Sequence, residues 1–90
     1  MSEFKGTPGP WKANKNSVVF NGYALAFVPN YKEHPYARCI ADAQLISAAP
    51  DLLASCLEIR EAIKYFSEYA LPIGWAERID AAINKALGKL

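Results

Sequence analysis

Ser47-Ala48-Ala49-Pro50-Asp51-Leu52-Leu53 lies between two helical patterns and decides how they connect. Pro50 has no amide hydrogen and clashes with the preceding helical turn, so a single helix cannot run through it undisturbed. Proline is nevertheless favoured at the first position of a helix, and Asp51 beside it complements the positive helix N-terminus. The run therefore predicts one helix ending at about Ala48 and a second starting at Pro50.

The patterns on either side agree. From Tyr36, the residues Ala37, Ile40, Ala43 and Ala48 fall near one side of a helix, and Ala41, Leu45 and Ile46 widen that stripe. After Pro50, the residues Leu52, Cys56, Ile59, Ile63 and Phe66 alternate at spacings of four and three, broadened by Leu53 and Leu57. Such a stripe reads as intramolecular core, with a self-association seam as the alternative. Two heptads fall short of the run that a coiled coil requires. Arg60, Glu61 and Lys64 form an ordinary solvated face. Residues 69–74, with Pro72 and Gly74, connect to a third helix running from about Trp75 to Leu87. Its apolar face is Trp75, Ile79, Ala82, Ile83 and Ala86, and Gly88 is its stop signal.

The N-terminal third follows a different period. Thr7-Pro8-Gly9-Pro10-Trp11 cannot be helix interior, so residues 1–10 read as an extended segment delivering Trp11 to the body of the domain. Trp11 and Ala13 alternate with Lys12 and Asn14. Ser17-Val18-Val19-Phe20 is β-branched and aromatic, and Tyr23-Ala24-Leu25-Ala26-Phe27-Val28 puts Tyr23, Leu25 and Phe27 on one face. Asn21-Gly22 between them is the signature of a type I′ hairpin turn. Residues 11–28 thus form a small antiparallel meander, which needs helices to pack on because a lone hairpin is marginal in water. The predicted architecture is α+β: a single domain over residues 1–90, with an N-terminal antiparallel hairpin or meander packed on three C-terminal α-helices in residues 36–87.

Composition narrows the function classes. Hydrophobic residues make up 52%, which excludes wholesale disorder, and the net charge of +1 disfavours a dedicated nucleic-acid binder. Residues 1–10 contain no apolar signal-peptide core and no segment is long enough to span a membrane, so the expected location is cytoplasmic. Apolar burial and chain entropy nearly balance at this size, leaving room for a homo-oligomer that hides more surface. Cys39 and Cys56 read as buried thiols in a reducing compartment, with a disulfide as the alternative. With one histidine, His34, and no Cys-x-x-Cys pair, no metal is expected. No nucleophile elbow, phosphate loop or dinucleotide fingerprint occurs. Asp42 and Asp80 read as surface charges rather than a catalytic pair. The sequence therefore predicts no enzyme, no catalytic residues and no cofactor.

Three residues stand out as candidates for binding a ligand or partner. Trp11 is either core or a ring offered to a ligand, since aromatics anchor interfaces and stack on bases. Tyr31 sits in a polar loop, residues 29–35, that carries no recognisable chemistry. Arg38 follows that loop and, if partly buried, would grip a phosphate or carboxylate bidentately; the ordinary reading is a solvated or locally paired side chain.

Two stretches resemble one family. Thr7-Pro8-Gly9-Pro10-Trp11 is similar to an N-terminal signature of small proteins of tailed phages and prophages. Ala41-Asp42-Ala43-Gln44-Leu45-Ile46-Ser47-Ala48-Ala49-Pro50-Asp51-Leu52-Leu53 is similar to their central helix–Pro–helix signature, with Asp42 near a position where the family usually carries Asn. A β-rich insert separates the two in that family, as residues 18–28 would here. The resemblance implies a small accessory gene product in the host cytoplasm, and many such products act against host defences. Three expectations follow. The first is a non-catalytic binder that inhibits a host defence or nucleic-acid-processing protein. The second is a homo-oligomeric sponge for a nucleotide immune signal, with Trp11 or Tyr31 stacking on a base and Arg38 holding phosphate. The third is a weak nucleic-acid-binding protein, which the near-neutral charge disfavours.

Overall fold

Asn21 and Gly22 both take positive φ, 49° and 80°, which is what a type I′ turn demands and what Asn-Gly supplies at low steric cost. The turn joins two strands in a computed structural model of the chain, which describes residues 4–30, 35–65 and 71–89. Contacts divide the chain into two compact units, Thr7–Asp51 and Met1–Gly6 with Leu52–Leu90.

The first unit holds a three-stranded antiparallel sheet of β1 (Lys12–Asn14), β2 (Ser17–Phe20) and β3 (Tyr23–Phe27), in spatial order β1-β2-β3. Ala13 pairs with Val18, and Val18 with Ala26. Cross-strand partners share a face, so Ala13, Val18 and Ala26 form one layer. That layer meets α1 (Tyr36–Ser47), which packs on β1 and β2. Val18, Cys39 and Ala43 are fully buried, so the junction is built from small side chains and the helix lies close to the sheet. The Cys39 thiol donates to the Pro29 carbonyl oxygen at 3.3 Å, tying the helix to the exit of β3.

Two details refine the expected meander. Val19 pairs with Ala24 while Val18 pairs with Ala26, leaving Leu25 as an extra residue on β3. This bulge interrupts the simple alternation expected across Tyr23, Leu25 and Phe27. At the other end of the hairpin, Asn16 holds Val28 twice. The Val28 amide donates to the Asn16 carbonyl oxygen at 2.8 Å, and the Asn16 side-chain amide donates to the Val28 carbonyl oxygen at 2.8 Å.

The helix break falls where Pro50 requires it. α1 ends at Ser47, Ala48 caps it with αR geometry, and α2 (Ala49–Ile63) begins one residue before Pro50. The Ser47 hydroxyl donates to the Gln44 carbonyl oxygen at 2.6 Å, satisfying one carbonyl of the last turn. Burial on α1 centres on Cys39 and Ala43. Ala41, Leu45 and Ile46, expected to widen the buried stripe, are exposed.

The second unit holds most of α2 and α3 (Trp75–Ala86). The expectation that Leu52, Cys56, Ile59 and Ile63 form core is corrected here. No residue of α2 is buried, and Leu52 and Ile59 are each about half exposed. Phe66 lies outside the described residues. The less exposed side of α2 runs through Leu53, Cys56, Leu57, Arg60 and Ile63. Arg60 is drawn off the expected solvated face toward Asp80 of α3, Nη1 to Oδ1 3.7 Å. Lys64 and Glu61 remain on that face as an exposed pair at 3.2 Å. Ile83 is the buried residue of α3, whereas Trp75, expected on its apolar face, is half exposed.

Gly88 ends α3 as its sequence position predicts. With φ 75° it supports bonds from Gly88 N to Lys85 O and from Lys89 N to Asn84 O, the pair that defines a Schellman cap. No single helix among the described residues is long and apolar enough to cross a membrane.

Candidate functional site

The bulge at Leu25 turns β3 over partway along: Phe27, opposite Ser17, faces away from the Val18 layer, whereas Tyr23, opposite Phe20, lies on the Val18 side of the sheet. Tyr23 is 74% exposed and Phe27 64%, with Leu25 partly exposed between them. β3 is also an outer strand of the sheet, and no pairing covers its free edge among the described residues. Unpaired strand edges are templates for another chain, and proteins usually blunt them with charges or proline. Tyr23-Ala24-Leu25-Ala26-Phe27 carries neither. The opposite edge differs: β1 has three residues, includes Lys12 and is followed by Lys15.

A second feature opens where β1 and β2 part. Lys12 opposite Val19 is the last pair of that ladder. At and beyond this pair, residues 10–12 and 19–22 line a cleft of about 480 Å³. Trp11 lines it. The indole N–H donates to the Thr7 carbonyl oxygen at 3.1 Å, so Thr7-Pro8-Gly9-Pro10-Trp11 closes back on itself. The Gly9–Pro10 peptide is cis. Gly9 in turn lies against Pro50, so closely that a Cβ on Gly9 would stand 2.8 Å from the Pro50 Cβ. The two sequence signatures therefore meet in space, and part of what they encode is a packing contact.

The candidates named from sequence separate. Trp11 is half-buried at the cleft, between the two roles considered for it. Arg38 sits exposed in the first turn of α1 and is not among the cleft's lining residues. Tyr31 and His34 lie outside the described residues. Tyr23, Phe27, Lys12 and Phe20 were not singled out from sequence. The signal that would have found the first two is a strand of large apolar residues that carries no charge or proline. Neither cysteine is in a disulfide; Cys39 is buried and Cys56 half-buried.

A family model described as Salmonella phage P22 protein Y8K6 matches residues 1–90. No curated protein and no solved structure matches the chain.

Proposed function

This chain belongs to the Salmonella phage P22 protein Y8K6 family, and we propose that this small phage protein acts by non-catalytic binding, holding a host protein on the free edge of β3. The observation that carries the reading is the combination on one strand of an unpaired main-chain edge with Tyr23 and Phe27 exposed at its two ends. In β-strand addition the main chain supplies affinity and side-chain pockets supply specificity. Tyrosine and phenylalanine are the kinds of side chain that anchor such contacts, because they bury large areas at low entropic cost. The bulge at Leu25 bends the strand, so a partner segment pairs over a short stretch rather than extending the sheet indefinitely. Inhibition follows where the segment held on β3 is one the host protein needs for its own activity.

The test begins with tagged full-length protein in the host, followed by reconstitution with the purified partner. Wild type should bind, with amide shift changes confined to residues 23–28. Phe27→Lys should abolish binding while Lys12→Gln retains it. A partner held equally well by Phe27→Lys, or none recovered with and without infection, would reject the proposal.

A further inference from the structure

We infer that the cleft between β1 and β2 is a binding site for a small planar ring compound bearing one anionic group, of the class of a nucleoside monophosphate. It lies on the other side of the sheet order from the free edge of β3, and it stands on different residues from the proposed partner site. Its volume of about 480 Å³ falls in the range of ligand pockets, about 300–1,000 Å³. Two aromatic rings line it, Trp11 and Phe20. The Trp11 N–H is already engaged by Thr7, so Trp11 offers ring surface, the feature on which a flat heterocycle stacks.

The charge of the lining is one-sided. Among the described residues, Lys12 is the only charged side chain that lines it, and no carboxylate is part of that lining. A single exposed ammonium suits one anionic group. Asn21 adds an amide able to donate and accept, as the edge of a heterocycle requires. At Gly22 nothing lies within 4 Å of where a Cβ would be, so the turn leaves that side open for entry. Rings for stacking, one cation and one amide within a single cleft match a base with one phosphate better than a purely apolar molecule.

The experiment is a titration of the full-length, isotope-labelled protein with adenosine 5′-monophosphate, followed by NMR. Saturable shifts at the Trp11 indole N–H, Lys12, Phe20 and Asn21 are expected. Lys12→Gln, an exposed and conservative change, should weaken this ligand about fivefold and leave plain adenosine unaffected. Ribose 5-phosphate, which lacks the ring, should give no saturable response. The inference fails if millimolar adenosine 5′-monophosphate leaves these signals unmoved. It fails equally if Lys12→Gln has no effect or if ribose 5-phosphate binds as well. A cleft that ignores the nucleotide but takes a proline-rich peptide would be an aromatic peptide groove and would also overturn it. Phe27→Lys should leave nucleotide binding intact, so failure here and failure at β3 are separable.

Discussion

Gly9 and Pro50 touch across the fold so closely that a single added carbon on Gly9 would sit 2.8 Å from the Pro50 Cβ and 3.4 Å from its Cγ. Real Cβ atoms do not approach one another at 2.8 Å. The absence of a side chain at residue 9 is therefore a packing requirement. Pro50 has two roles at once, since it stands in the first turn of α2 and forms the surface against which the Thr7–Trp11 turn rests.

Gly9→Ala should accordingly destabilise the protein by about 1–3 kcal/mol through overpacking. Urea unfolding of Gly9→Ala, Pro50→Gly and the double variant checks this. The double variant should be more stable than the sum of the single losses implies, because removing the proline side chain relieves the clash. Strict additivity would show that the two residues do not couple.

Truncating the exposed aromatics should have the opposite profile. Tyr23→Ser and Phe27→Ser should each change stability by only about 0.5 kcal/mol, as expected for exposed positions. Val18→Ala, at a fully buried position of the same sheet, should cost about 2 kcal/mol. Thermal or urea denaturation of the three variants makes the comparison. A large loss at Phe27 would mean that its ring supports the fold rather than a partner.

Thiol labelling should distinguish the two cysteines. Cys56 is half-buried on α2, whereas Cys39 is fully buried and hydrogen-bonded to the Pro29 carbonyl. A thiol reagent should therefore modify Cys56 first, and Cys39 only as fast as the sheet–helix contact opens. In denaturant the two rates should converge. Equal rates in the native protein would contradict the burial of Cys39.

The Arg60–Asp80 pair should matter little. At 3.7 Å, with the Asp80 side chain 60% exposed, water and salt screen it. Asp80→Asn should lower stability by no more than about 0.5 kcal/mol, with the difference vanishing at high salt. A larger, salt-resistant loss would mark the bridge as a true clamp between α2 and α3.

Some of this fold was readable from the chain because local backbone chemistry dictates it. Asn21-Gly22, Pro50 and Gly88 each force a turn, a break or a stop whatever surrounds them. What was not readable depends on partners distant in sequence. The stripe from Leu52 to Ile63 has helical spacing, but spacing does not say how deeply a face is covered, and this one is only half covered. Leu45 resembles core by hydropathy, yet the sheet meets α1 along Cys39 and Ala43, where smaller side chains permit a closer approach. The same holds at the candidate sites. Trp11 was legible as a bulky ring beside two prolines. Its position in a cleft with Lys12 and Phe20 depends on where the β1–β2 ladder ends. Tyr23 and Phe27 were read as facing one side together; the unmatched Leu25 puts them on opposite faces, and alternation alone does not reveal a bulge.

Asn16 grips the far end of the hairpin with both its main chain and its side chain, and this makes it a gauge of strand length. A single residue inserted or lost between Asn16 and Val28 would bring the wrong neighbour to that grip and turn the following side chains over. Adding one residue to β2 and one to β3 at the Asn21–Gly22 end would leave the grip untouched. Apart from the one unmatched residue that the bulge at Leu25 absorbs, the hairpin therefore grows or shrinks in matched pairs. Length changes that keep the fold belong at its tip, beside the cleft, and not at its base.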